Sequence, residues 1–305
     1  MQPPAEYVGM NHPTQVVQTA RGPVEYCSAG EGDAILYFHG TGGTCDGMMP
    51  FEYKLVEDGF RLIMPNRPGY GNTPLDSNIG IRDCSNVAEA LLDTLGVERA
   101  AVMGSSGGGT FALSFALTHP ARCYSLTLLC PQLHRWTSPQ WMPHSGRWLL
   151  PFLKVSILRK LLMAGHRMQF SRISAAQFLK MEAGSRYERV KNDQHAIDIA
   201  EAAIAMMKKG VMFSGFENDM RIFVSEDSFP EGHVLHPRSM IIHDAVDPMA
   251  PVEQVDWFCS LVPSCQRVNV ETAGHLVWAG PDVEHVHESR VQFLKQCFEK
   301  ADSAT

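Results

Sequence analysis

No Cys-x-x-Cys pair occurs in this chain, whose eight cysteines stand singly at positions 27, 45, 84, 123, 130, 259, 265 and 297. That scatter argues against a disulfide-stapled scaffold and reads as buried thiols in a reducing compartment. No uncharged apolar run reaches the roughly 18 residues of a membrane span. The longest candidate, Trp148 to Arg159, is broken by Pro151 and Lys154. The start, Met1-Gln-Pro-Pro-Ala-Glu-Tyr7, has neither a basic region nor an apolar core, so no secretory signal is expected. A strongly basic stripe is also missing. With 26 Lys and Arg against 33 Asp and Glu, the net charge is −7, which argues against a protein that tracks nucleic-acid phosphates. The nearest basic cluster, Lys154 to Arg167, is interleaved with leucines and reads as one face of a helix.

Metal and nucleotide signatures are lacking too. Gly40 to Gly43 could pass for a phosphate loop, but no Gly-Lys-Ser/Thr follows it. His233-x-x-His236 flanks Pro237 in a loop, and His285-x-His287 sits on a predicted helix, where residues two apart do not share a face. Neither pair has Cys or carboxylate partners at zinc-like spacing. The expectation is a soluble, cytoplasmic protein with no metal and no cofactor. Its partner would be a small-molecule substrate, with no nucleic acid and no membrane span, and its oligomeric state stays open.

What is present is a strand–helix rhythm over 305 residues, with 45% hydrophobic and 19% charged residues, as in an ordinary globular enzyme. Two β-rich segments, Gln15 to Thr19 and Val24 to Cys27, are joined by a turn at Arg21-Gly22-Pro23. Continuous apolar runs at Ala34–Phe38, Phe60–Met64, Arg99–Gly104, Tyr124–Cys130, Ser239–His243 and Arg267–Val270 predict further strands. Helices are predicted over Asp46–Glu57, Ile81–Leu95, Gly107–His119, Val252–Leu261 and Val283–Phe298. Strands separated by helices imply a mainly parallel sheet covered on both faces, an α/β fold. From Pro131 to Pro237 the alternation stops in favour of Trp, Met, Arg and helical periodicity, as over Ile197 to Met207. Residues 1–130 and 238–305 therefore read as one α/β core, and 131–237 as a helical insertion within it.

Gly104-Ser105-Ser106-Gly107-Gly108 places a serine at the centre of a G-x-S-x-G turn between a predicted strand and helix. Glycines flank it because a Cβ there would meet the neighbouring strand or helix. If Ser105 were the central serine, Met103 would occupy the first glycine position, so Ser106 is preferred. A serine hydroxyl needs a base within hydrogen-bond reach, itself oriented by a third group. Asp247 and His275 each lie on a loop just past a predicted strand, and such loops open on one edge of a parallel sheet. Asp244 competes with Asp247 for the acid, and His243 ends the preceding strand.

Four motifs in order, His39-Gly-Thr-Gly42, Gly104-x-Ser106-x-Gly108, Asp247-Pro248 and Gly274-His275, make the chain resemble the α/β-hydrolase superfamily over nearly its whole length. The resemblance implies an α/β-hydrolase fold with a helical lid over residues 131–237. It implies Ser106 as nucleophile, His275 as base and then acid, and Asp247 as the group that holds the imidazole. It further implies an oxyanion hole from the Thr41 and Gly107 N–H groups, with no cofactor. Trp136, Trp141, Met163 and Met207 of the lid are expected to line an apolar substrate pocket. The turn Asn66-Arg-Pro-Gly-Tyr-Gly71 departs from relatives, which often begin it with Asp and end it in Gly-x-Ser; here Asn66 and Asn72-Thr73 stand instead. A serine nucleophile sets aside the relatives that need aspartate there, haloalkane dehalogenases and epoxide hydrolases. The implied reaction is hydrolysis of a carboxylic ester or lactone through an acyl-serine. Alternatives are carbon–carbon hydrolysis of a vinylogous diketone, for which Leu276 replaces the aromatic residue often found after the histidine, cofactor-free perhydrolase or haloperoxidase chemistry, and a ligand receptor on the same fold.

Overall fold

A computed structural model describes residues 12–76 and 80–302; the segment Met1–Tyr7, read above as lacking a secretory signal, lies outside the described residues. Eight strands form one sheet: β1 (Gln15–Thr19), β2 (Gly22–Ala29), β3 (Ala34–Phe38), β4 (Arg61–Pro65), β5 (Ala100–Ser105), β6 (Cys123–Leu129), β7 (Arg238–His243) and β8 (Gln266–Asn269). Their order is β1-β2-β4-β3-β5-β6-β7-β8. β2 pairs antiparallel with both β1 and β4, and every other pairing is parallel. This is the α/β-hydrolase fold.

The crossovers are α1 (Cys45–Glu57), α2 (Ile81–Thr94), α3 (Gly108–Thr118) and α10 (Val252–Leu261), and α11 (Val283–Asp302) follows the last strand. α2 lies along α3, where Ser85 Oγ donates to Ser114 Oγ across 2.8 Å. α1 and α11 are joined by a buried ion pair between Glu52 and Arg290. With helices in place, β5 is buried along its whole length, which explains its uninterrupted run of small and apolar residues. Between β6 and β7 come six further helices, α4 (Leu150–Leu153), α5 (Ser156–Phe170), α6 (Ala175–Ala183), α7 (Tyr187–Val190), α8 (Gln194–Gly210) and α9 (Ser214–Ser225). Only α5 and α8 had a partial trace in the sequence pattern, at Lys154 to Arg167 and around Ile197 to Met207.

The two departures in the turn after β4 have a common cause. Glu25 on β2 is buried beneath that turn. Asn66 Nδ2 donates to its Oε2 at 2.7 Å, while the Asn72 N–H and Nδ2 donate to Oε2 and Oε1 at 2.6 and 3.0 Å. An aspartate at 66 would set a second carboxylate against Glu25, whereas an amide donates to it. Asn66 Oδ1 also accepts from the Cys45 N–H at the start of α1, at 2.7 Å.

Candidate active site

Thr41, Ser106, Asp244, Asp247 and His275 sit on loops at the carboxyl edge of the parallel strands. Ser106 follows β5 with φ +50°, the strained left-handed conformation of a sharp strand-to-helix turn. The turn closes only because Gly104 and Gly108 lack side chains: a Cβ on Gly104 would strike the Gly108 carbonyl, and one on Gly108 the Phe38 carbonyl. Ser105 is the last residue of β5 and buried, while Ser106 is partly exposed at the start of α3.

Ser106 Oγ lies 2.9 Å from His275 Nε2, and His275 Nδ1 lies 2.7 Å from Asp247 Oδ2. The other Asp247 oxygen accepts from the Met249 and Ala250 N–H groups at 2.7 and 2.9 Å, which fixes the carboxylate plane. Because Nδ1 faces a carboxylate, the ring carries its proton there and offers Nε2 as an acceptor to the serine. Burial alone would lower the His275 pKa, but the Asp247 carboxylate overrides it and holds the imidazole well above its ordinary value. Asp244 has other partners: it pairs with Arg186 at 3.2 Å and accepts from the Thr272 N–H at 3.0 Å. His243 is fully buried, its Nδ1 4.0 Å from Asp247, and burial lowers its pKa, so it stands neutral behind the acid.

The loop after β3 approaches Ser106 from the other side. Gly40 faces the Ser106 Cβ, and the Thr41 side chain borders Gly107. Among the described residues, neither the Thr41 nor the Gly107 N–H donates a hydrogen bond, and the amino end of α3 adds its positive field there. His39 anchors this loop from below. Its Nε2 accepts from the Arg67 N–H at 3.1 Å, so Nδ1 carries the proton and donates to the Gly40 carbonyl at 2.9 Å.

A buried network that the sequence pattern did not reveal holds the same loop from above. Arg67 forms a two-pronged ion pair with Asp219 of α9, at 2.6 and 2.8 Å, both side chains being buried. Asp219 also accepts from Tyr70 at 2.7 Å and from the Thr41 hydroxyl at 2.9 Å, and Arg67 Nε donates to the His39 carbonyl at 3.1 Å. The insertion touches the histidine side as well, since the His275 N–H donates to the Glu182 carbonyl of α6 at 2.9 Å. The Glu182 carboxyl is buried near His275 and Asp247, and burial pushes its pKa up to about 7.

Of the four apolar residues nominated for a pocket, Met207 lies against Gly42 of the loop after β3. Trp136 packs on Phe223 at 5.1 Å, which borders Gly107, and its indole N–H donates to Gln132 at 2.8 Å. Trp141 is stacked on His134 at 3.8 Å, and its carbonyl accepts from Gln254 of α10 at 2.7 Å. Met163 is buried on α5 within the apolar core. Cys130 Sγ, a carboxylate oxygen of Asp247 and a ring nitrogen of His275 lie within 4.8 Å of one another, a spacing open to a metal ion. Ligation there would break the Asp247–His275 hydrogen bond, so a metal and the serine relay exclude each other. His287, of the second histidine pair, is bonded to Asp58 at 2.6 Å.

The sequence profile of the alpha/beta hydrolase fold matches residues 33–278. An uncharacterized hydrolase of Bacillus subtilis (strain 168) is 25% identical over 285 residues, covering 90% of this chain and 95% of that protein. A 2-hydroxy-6-oxo-6-phenylhexa-2,4-dienoate hydrolase of Comamonas testosteroni is 33% identical over 114 residues, 35% of this chain and 40% of the relative. Among solved structures, an alpha/beta hydrolase fold protein from Nakamurella multipartita superposes with a TM-score of 0.70 at 24% identity, over 92% of this chain and 99% of the other.

Proposed function

Because the chain belongs to the α/β-hydrolase family, we propose that it hydrolyses a carboxylic ester or lactone, small to medium in size and largely apolar, through an acyl-serine intermediate. The observation that carries this reading is the continuous hydrogen-bond line from Asp247 through His275 to Ser106. As Ser106 Oγ adds to the substrate carbonyl carbon, His275 Nε2 takes the hydroxyl proton and Asp247 stabilises the imidazolium. The carbonyl oxygen becomes an oxyanion and accepts from the Thr41 and Gly107 N–H groups; in other hydrolases one such donor is worth about two to three powers of ten in rate. Collapse breaks the ester C–O bond, and His275 returns the proton to the leaving oxygen. Water then repeats the sequence on the acyl-serine, releasing the carboxylic acid and the free enzyme. In this account residues 131–237 serve as the lid, and Met207 and Trp136 close the apolar side of the pocket. Cysteines scattered singly along the chain, with no Cys-x-x-Cys pair, favour a reducing, cytoplasmic setting.

A second reading, hydrolysis of a carbon–carbon bond, is favoured by the Comamonas relative. Its substrate is by name a dienoate, an acid, and a buried carboxylate calls for a positive partner. Arg67 and Arg186, which reach the loops of the site, are already matched to Asp219 and Asp244. That charge balance favours a neutral ester or lactone. A panel of chromogenic esters and lactones of graded acyl length, assayed beside a dienone acid, separates the two. Ester turnover that vanishes in Ser106→Ala supports the first reading, and turnover of the dienone acid far above every ester overturns it.

A further inference from the structure

α5 is apolar on both sides. Its inward side buries Met163 and Phe170, while Ile157, Leu161 and Met168 are 68, 65 and 59% exposed. Positions 157, 161 and 168 recur at helical spacing, so the exposed residues form one outward stripe. Trp148, 68% exposed, and the partly exposed Phe152 lie just before it, their rings 6.3 Å apart. A surface helix ordinarily turns polar residues to water, so a stripe of this kind marks a face that meets something apolar.

Charge says what that something is. From Trp148 to Met181, the stretch that holds α5 and its flanks, the chain carries six Lys or Arg and no Asp or Glu. Lys154 and Lys160 are exposed and border the stripe. Two copies meeting through this face would bring like charges together, whereas anionic headgroups would neutralise them. Aromatic and aliphatic side chains rimmed by lysine fit an interface in which apolar groups enter the acyl boundary and ammonium groups stay among the headgroups.

We propose that the outward face of α5, with Trp148 and Phe152, docks this protein on an anionic lipid bilayer. No helix of the described residues is long and apolar enough to cross a membrane, so the association is peripheral. It holds whichever bond Ser106 breaks.

The test is co-sedimentation of the full chain with vesicles of phosphatidylcholine mixed with phosphatidylglycerol, and with vesicles of phosphatidylcholine alone. Two double variants accompany it, Ile157→Ser with Leu161→Ser and Lys154→Gln with Lys160→Gln. All four side chains already face water, so fold and turnover of a soluble ester should be unchanged. The wild type should pellet with the mixed vesicles only, and each double variant should lower its partition coefficient by about tenfold or more. Failure of the wild type to bind the mixed vesicles overturns the proposal, as does binding that neither double variant weakens. A dimer in sedimentation equilibrium that Ile157→Ser with Leu161→Ser converts to monomer, without vesicle binding by the wild type, assigns the face to a second copy instead.

Discussion

Asp247 and Asp244 leave β7 on the same loop, yet one carboxylate meets His275 and the other Arg186. Replacing Asp247 by Asn should therefore lower kcat by roughly four powers of ten, the scale seen when the acid of such a relay loses its charge. Asp244→Asn should leave the chemistry largely intact and loosen the Arg186 contact. Steady-state kinetics on one ester separates the two. The pH profile carries a further sign. His275 must be neutral to accept the serine proton, and Asp247 raises its pKa, so kcat/KM should climb through an acid limb above 6.5. In Asp247→Asn burial is left to dominate, and that limb should move to lower pH. Glu182 gives a stability prediction. Its carboxyl titrates near 7 in the folded protein against 4.5 unfolded, so it costs nothing below 4.5 and progressively more as pH rises through 7. Glu182→Gln should match the wild type in acid and be more stable by about 3 kcal/mol well above neutrality, measured by denaturant unfolding at several pH values.

At the scale of elements, the loop after β3 is clamped between the core and the helical insertion. Asp219 of α9 takes hydrogen bonds from Arg67, Tyr70 and Thr41, while Gly210 at the end of α8 lies so close to Gly42 that a Cβ there would strike its carbonyl. Asp219→Ala strands a buried guanidinium, which should cost about 3–5 kcal/mol in urea unfolding. The mobile Thr41 loop should then lower kcat more than it changes KM. Asn66→Asp, which sets a second carboxylate against buried Glu25, should also destabilise the fold, and lowering the pH should relieve it. The turn chemistry of 66–73 was visible as sequence, but its partner Glu25 was not, because Glu25 to Asn66 spans two strands and a helix. Arg67 and Asp219 are 152 positions apart. Arg67 lies in that turn, but Asp219 belongs to no motif, and only the packing of α9 onto the turn after β4 brings them together.

Across the whole molecule, legibility follows the length scale of the cause. Apolar runs with turn residues between them are local, and they placed the strands to within one residue, apart from a two-residue offset at each end of β2. The G-x-S-x-G turn and the His39-Gly-Thr-Gly loop are equally local, because close backbone approach demands glycine. Whether Asp244 or Asp247 faces His275 depends on how two loops from neighbouring strands fold back, which no spacing encodes. The insertion was legible as helical and apolar, but not in which side chains it turns inward. Met207 reaches the loop after β3, whereas Trp141 stacks on His134 and bonds to α10. We propose that the fold assembles from these parts one nucleophile, Ser106, at one sheet edge. Incubation with a fluorophosphonate, followed by intact mass and peptide mapping, tests that claim most directly. The account predicts a single phosphonyl adduct on the peptide containing Ser106 and none in Ser106→Ala; an adduct on another residue, or one that persists in the variant, would contradict it.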